Sequence, residues 1–246
     1  MQPTELTLNK TSIGELVSQD WRKAEVFKKY GIDFCCGGKR TVAEACGKKG
    51  IDPALVEAEL QQVEKRISGH PNNFNQWELD FLVDYIVNNH HKYVSEAVPF
   101  LDELSAKVSR VHGDRHPELI EIEQLTQDVI QELTMHMPKE EMILFPYVKQ
   151  LVHAKRNSTS IVPPPFGTIA NPINMMEAEH TSAGGAMEAI EELSNRFTPP
   201  ADACMSYQVL FAKLKEFQQD LHQHIHLENN ILFPKALKLE EELIAD

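Results

Sequence analysis

Two segments of this chain lie over one another without a gap: HMPKEEMILFP from His136 to Pro146, and HIHLENNILFP from His224 to Pro234. Both read H-x-x-x-E-x-x-I-L-F-P, and chance is a poor explanation for so long a match. On a helix, residues four apart share a face, with Cβ atoms ~5–6 Å apart. Each copy therefore offers an imidazole nitrogen and a carboxylate to one point: His136 with Glu140, and His224 with Glu228. A single H-x-x-x-E pair is commonly an exposed ion pair. Two copies with the same apolar tail imply buried ionisable groups, which are costly unless something pairs with them. That something is read here as metal.

The rest of the chain decides what carries the repeats. Almost no stretch alternates with the period of a strand, so the fold class is all-α. From residue 75 to 246, four long helical patterns are separated by breakers, which predicts an antiparallel four-helix bundle. The first runs from about Trp77 to His112, and Pro99 should kink or divide it. The second covers Glu118 to Lys155. A loop with Pro163-Pro164-Pro165 and Gly167 leads to the third, Asn174 to Arg196, and the last runs from about Ala201 to Leu243. The repeats fall on the second and fourth.

Residues 1–70 read as a separate small helical unit. Ser12-x-x-Glu15 is a capping box. A run from Trp21 to Tyr30 stops at Gly31, Cys35-Cys36-Gly37-Gly38 is a tight turn, and Thr41 to Lys49 is a short helix ended by Gly50. Asp52-Pro53 starts a further helix to about Arg66, and Ser68 to Asn73 is the linker.

Composition narrows the function. Among 246 residues, 37 are acidic and 24 basic, a formal charge of −13. A phosphate backbone is bound chiefly by Lys and Arg, so nucleic acid is disfavoured as a partner while cations are not. The residues after Met1 lack the basic start and apolar run of a signal peptide, and no apolar stretch is long enough for a bilayer. The expected location is the cytoplasm, with no membrane association. Four cysteines, two of them adjacent, make no disulfide framework. Cys46 and Cys204 are expected to be buried apolar residues. The eleven histidines carry more information, because imidazole is the commonest transition-metal ligand.

Candidates on the two remaining helices are His91 or His90 on the first and His180 on the third. Two irons sharing four histidines take two nitrogens each, plus one oxygen from each bridging glutamate. An oxo or hydroxo bridge makes five, leaving one octahedral position for O2, NO or water. Mixed imidazole and carboxylate ligation suits iron before manganese or zinc. In His222-x-His224-x-His226 the outer pair is turned roughly 200° from the face of Glu228. For His90 and His91 periodicity favours His90, whose neighbours Val83, Ile86, Val94 and Ala97 are more apolar. Pattern leaves that pair open.

At these residues the chain resembles the repair-of-iron-centres family, the ScdA/YtfE type, whose second domain is hemerythrin-like. The resemblance covers nearly the whole chain. It rests on Asp33-Phe34-Cys35-Cys36-Gly37-Gly38-Lys39, on the two repeats, and on Asp84-Tyr85-Ile86-Val87-Asn88-Asn89-His90-His91. In the last stretch the ligand position falls on His91, while His90 stands where the family has tyrosine. The resemblance implies a six-ligand set of His91, His136, Glu140, His180, His224 and Glu228, with both glutamates bridging two irons. It further implies repair of iron–sulfur clusters damaged by oxidative or nitrosative stress, with damaged iron–sulfur proteins as partners and iron donation as the mode of action. Reduction of nitric oxide at the paired irons, and sensing of O2 or NO, are the competing functions. A turnover enzyme is the less favoured reading, since no electron-transfer domain is visible. A second copy of the chain is a further candidate partner. Cys35 and Cys36 are candidate reactive thiols, with Lys39 and Arg40 nearby to favour thiolate; the alternative is a turn in which the glycines carry the geometry. Glu132 and Glu179 are candidates for groups supporting the ligands.

Overall fold

The computed structural model describes residues 11–65 and 73–245. The expected linker lies largely outside them. Among the described residues there is no strand, only an isolated antiparallel bridge between Ser12 and Thr41.

The N-terminal unit forms for local reasons. Helix α1 (Ile13–Gln19) is capped by the Ser12 side chain, which accepts from the Glu15 backbone N–H at 3.2 Å. Helix α2 (Lys23–Lys29) is followed by Gly31 at φ +61. Helix α3 (Val42–Lys49) carries a complete capping box between Thr41 and Glu44 and ends on Gly50 at φ +67, a left-handed position where glycine avoids the Cβ penalty. Helix α4 (Pro53–Lys65) starts with Asp52 accepting from the Ala54 N–H.

The bundle is four rods. The first joins α5 (Leu79–Tyr85) to α6 (Lys92–His112) through a π-helical turn, Ile86–His91. The second joins α7 (Glu118–Lys139) to α8 (Phe145–Asn157) through Glu140–Leu144. The third is α9 (Ala170–Leu193). The fourth joins α10 (Met205–Leu227) to α11 (Phe233–Ala245) through Glu228–Leu232. In the ring so formed, α6 packs on α7 and α10, and α9 packs on the same two.

The prolines explain much of this. Pro146 and Pro234 sit at the second position of α8 and α11, just after a π-turn. A residue that cannot donate an N–H is tolerated in the first turn of a helix. Pro99, expected to kink or divide the first rod, leaves α6 undivided. Packing against two neighbours outweighs the loss of one helical hydrogen bond. The third helix closes three residues earlier than expected because Asn195, Arg196 and Phe197 turn left-handed, at φ 48, 58 and 57.

Two apolar clusters fill the interior. One runs without a break from Ile13, Phe27, Val42 and Leu60 of the N-terminal unit to Leu133, Met187, Leu221 and Ile225 of the bundle. The other holds Leu82, Ile86, Phe145, Leu151, Ile173 and Phe233. The ligand candidates lie where one cluster gives way to the other. On the first rod His91 falls between Ile86 and Val94, and on the third His180 falls between Met176 and Ala183. A polar layer is thus sealed by hydrocarbon on both sides. Among the described residues, no helix is long and apolar enough to cross a membrane.

Candidate metal centre

Six side chains meet in that layer: His91, His136, Glu140, His180, His224 and Glu228, none more than 2% exposed. They divide into two overlapping groups whose ligand atoms lie within 4.8 Å of one another. One is His91, His224, Glu140 and Glu228; the other is His136, His180, Glu140 and Glu228. Both glutamates belong to both groups.

The distances give each carboxylate a shared position. Glu140 Oε2 is 3.2 Å from His136 Nε2 and 3.4 Å from His91 Nε2. Glu228 Oε1 is 3.0 Å from His224 Nε2, while its Oε2 is 3.2 Å from His180 Nε2. The imidazoles face in pairs, with His91 Nε2 3.1 Å from His224 Nε2 and His136 Nε2 3.0 Å from His180 Nε2. The sequence accounts for this convergence: i,i+4 spacing stacks each repeat pair on one face, and each shared glutamate opens a π-turn. Such turns recur at functional sites because they re-aim side chains.

Outer groups fix the tautomers. His91 Nδ1–H donates to Glu141 Oε1 at 2.7 Å, His136 Nδ1–H to Glu179 Oε2 at 2.7 Å, and His180 Nδ1–H to Asn229 Oδ1 at 2.8 Å. Lys139 in turn holds Glu179. With its Nδ1 proton committed, each ring presents Nε2 to the centre.

A metal cation fits this donor set on two observations. Both Glu140 oxygens and Glu228 Oε2 are buried without a well-formed hydrogen bond. Among the described residues, imidazoles at 3.2–3.4 Å are all that faces Glu140 Oε2 and Glu228 Oε2, although a buried carboxylate needs full compensation to avoid a penalty of several kcal/mol. The centre also attracts positive charge strongly. Burial resists the charging of His91, yet Glu140 and Glu228 overcome it and push its pKa up to about 10. His136, likewise opposed by burial, is pushed up to about 9, chiefly by Glu140. Burial and the facing Glu228 work against ionised Glu140, but His136 and His91 win and its carboxyl falls below the usual range. Cations can take the place of those protons.

His90 is also buried, but it faces differently. Its Nδ1 contacts Asp220 Oδ1 at 2.9 Å, and its ring stacks on His224 at 5.6 Å with a 9° interplanar angle. Replacing His91 with alanine should therefore lower the bound metal, while His90→Ala should leave it unchanged on metal analysis. Loss of metal in His90→Ala with His91→Ala intact would reverse the assignment.

Cys35 and Cys36 lie apart from the six. Asp33 caps their turn, accepting from the backbone N–H groups of Cys35, Cys36 and Gly37. Lys39 is held on Glu177 at 2.8 Å, so its charge is committed elsewhere. The Cys35 thiol is pushed well above its ordinary pKa by Cys36 and by burial, which opposes the thiolate expected there. Cys36 Sγ lies 3.5 Å from the His180 carbonyl oxygen. Both cysteines line a cavity of about 1110 Å³ between the N-terminal unit and the bundle, with Gly184, Glu188 and His222.

His222 and His226, turned away from the centre as the spacing predicts, meet the N-terminal unit. Phe34 contacts both rings, and Trp21 contacts His226 at 5.5 Å. Burial lowers the His222 pKa to about 4 and that of His226 to about 3. Cys46 is buried as expected. Cys204 is exposed instead, because the fourth helix starts at Met205 and leaves it as the N-cap, with Sγ 3.2 Å from His112 Nε2. Sequence reasoning did not find Glu141 and Asn229. Each directly follows a shared glutamate, Glu140 or Glu228, but serves a histidine on another rod, His91 or His180, so nothing in the local sequence marks it.

Comparison with known proteins agrees with this layout. Residues 9–64 match the ScdA N-terminal family, described as a domain of unknown function, and residues 82–236 match the hemerythrin HHE cation binding domain. The iron–sulfur cluster repair protein YtfE of Musicola paradisiaca is 38% identical over 234 residues, covering 93% of this chain and 97% of that protein. Those of Pectobacterium atrosepticum and Yersinia pseudotuberculosis are 36% and 34% identical over 232 residues, with the same coverage. A hemerythrin-type cation-binding bundle behind an ScdA-type N-terminal domain, matched over nearly its full length by these relatives, makes this chain a member of the YtfE-type iron–sulfur cluster repair family.

Proposed function

We propose that this protein holds two irons on His91, His136, Glu140, His180, His224 and Glu228, and that it repairs damaged iron–sulfur clusters by giving up iron. The single observation that carries the reading is the sharing of the buried Glu140 and Glu228 carboxylates between two histidine pairs. When bound, the metal pair supplies ferrous iron and a redox-active centre open to small ligands such as O2 or NO. The chain's own work is to hold that store dry. Glu141, Glu179 and Asn229 orient three of the rings, and apolar layers exclude water from both sides.

The partners on this reading are iron–sulfur proteins that have lost iron under oxidative or nitrosative stress, in the cytoplasm. The proposed thiol role of Cys35 and Cys36 is to hand iron onward. It is supported by the large cavity they line and by the approach of Cys36 to the backbone of His180. The reading is tested with protein loaded anaerobically with labelled iron and mixed with an apo iron–sulfur protein. Label should appear in the rebuilt cluster. The Cys35→Ala/Cys36→Ala variant should keep its iron and visible spectrum while transfer slows about tenfold or more, the scale set by loss of a residue outside the ligand set. Transfer at the normal rate would remove the thiols from the path, and absence of label in the cluster would remove iron donation itself.

A further inference from the structure

The four ligand rings are not held alike. Three have Nδ1 tied to an acceptor: Glu141 for His91, Glu179 for His136 and Asn229 for His180. Two of these rings also stack on phenylalanine, His91 on Phe145 at 5.6 Å and His180 on Phe233 at 6.1 Å. His224 is different. Its Nδ1 is buried and, among the described residues, has no hydrogen-bond partner.

What touches His224 on its outer side is another imidazole. His90 lies nearly parallel to it, and Asp220, one helical turn before His224 on α10, anchors His90 Nδ1 across the helix interface at 2.9 Å. This part-buried pair is poorly satisfied by hydrogen bonds, for the buried atoms His90 Nε2 and Asp220 Oδ2 both lack hydrogen-bond partners among the described residues. The contact that the pair does supply is the flat face laid against His224. A stacked ring restrains tilt but does not polarise the ligand or fix its tautomer, as an acceptor on Nδ1 does.

We propose that the two halves of the centre hold their irons unequally, that the ion between His91 and His224 leaves first, and that His90, anchored by Asp220, is the positioning residue that limits its loss. The inference rests on the di-iron reading above and treats iron as cargo. It gives iron donation a direction: the His136–His180 half retains its ion while the other half empties. Loss of an outer acceptor typically weakens metal affinity by about tenfold to a hundredfold. A difference of that order between the halves is therefore expected.

The test follows iron leaving the fully loaded protein into an excess of a ferrous chelator under anaerobic conditions. Release should occur in two phases of equal amplitude whose rates differ by about tenfold or more. A sample stopped between them should show a one-iron species by Mössbauer spectroscopy. His90→Ala and Asp220→Ala should load two irons and accelerate the early phase. His90→Phe, which keeps a flat ring and removes both nitrogens, should restore it towards the wild-type rate. Glu179→Ala, which frees His136, should accelerate the late phase. Thermal unfolding of each variant without iron separates these effects from misfolding. Release in one phase with no one-iron species overturns the inference and leaves the di-iron reading standing. So does an early phase that responds to Glu179→Ala and ignores His90→Ala. A chain that loads fewer than two irons removes both.

Discussion

Glu228→Ala should strip the protein of nearly all its iron, and Glu140→Ala should do the same. Each histidine variant should retain about one ion per chain. The asymmetry follows from how the atoms are shared. A histidine serves one of the two groups, whereas Glu140 and Glu228 belong to both. Losing either carboxylate also removes a negative charge that holds positive charge in a layer sealed from water, where charges are screened least. Stability gives an independent reading. Anything that binds the folded state alone stabilises it by RT ln(1 + [L]/Kd), about 4 kcal/mol when the ligand is a thousandfold above Kd. Adding ferrous iron to the metal-free wild type should therefore raise its melting temperature by many degrees. In Glu228→Ala the rise should vanish, and in His136→Ala part of it should survive. If both glutamate variants kept full iron while His136→Ala lost it, the shared carboxylates could not be bridges.

The legibility of this site varied with its distance from the repeat. His136, Glu140, His224 and Glu228 stood out because the same eleven-residue pattern occurs twice. The all-α bundle followed from helical periodicity between breakers. The first-helix ligand resisted periodicity for a reason now visible. His90 lies four residues from both buried Ile86 and buried Val94, so an unbroken helical period places it on the core face, whereas His91 lies five residues after Ile86, the spacing of a π-turn. The π-turn Ile86–His91 buries both rings. A 3.6-residue period cannot be carried through a turn that widens to i→i+5 bonding.

Other features depended on pairings between distant parts of the chain. Glu179 was a candidate supporting group and does hold His136, whereas Glu132 is only half-buried one turn away. The state of Cys35 turned on what its neighbours do with their charges. Lys39 reaches Glu177 on α9, a contact 138 residues away that local sequence does not reveal. Cys204 was misjudged because the start of α10 was placed four residues too early, which turned an exposed cap into an interior position.

Gly38→Ala should detach the N-terminal unit from the bundle while leaving the iron in place. The Asn230 side chain, from the π-turn that follows Glu228, inserts between two glycines of that unit. Its Nδ2 donates to the Cys35 carbonyl at 2.9 Å and lies 3.3 Å from His226 Nδ1. Gly14 N–H donates to the Gly38 carbonyl at 2.8 Å, so the two backbones close around the amide. A Cβ on Gly38 would overlap Asn230 Oδ1 and come within 2.7 Å of the Phe34 carbonyl oxygen. The amide could swing aside, but the Phe34 backbone could not without opening the Cys-Cys-Gly-Gly turn. Overpacking of this kind costs about 1–3 kcal/mol, a large share of what holds a unit of this size to its neighbour. Trp21 reports on the joint, since its ring rests on His226 and Phe34 at 5.5 and 5.6 Å. Its emission should shift to the red in Gly38→Ala, and a low-temperature unfolding step should separate from the main one. Gly47→Ala serves as the control, because a Cβ there meets nothing within 4 Å. The added methyl should favour helix α3 by up to about 1 kcal/mol. Iron content should be normal in both variants, for Gly38 touches none of the six ligands. Should Gly38→Ala unfold in one step at the wild-type temperature with unchanged Trp21 emission, the glycines would not be what seats the cysteine turn against the bundle.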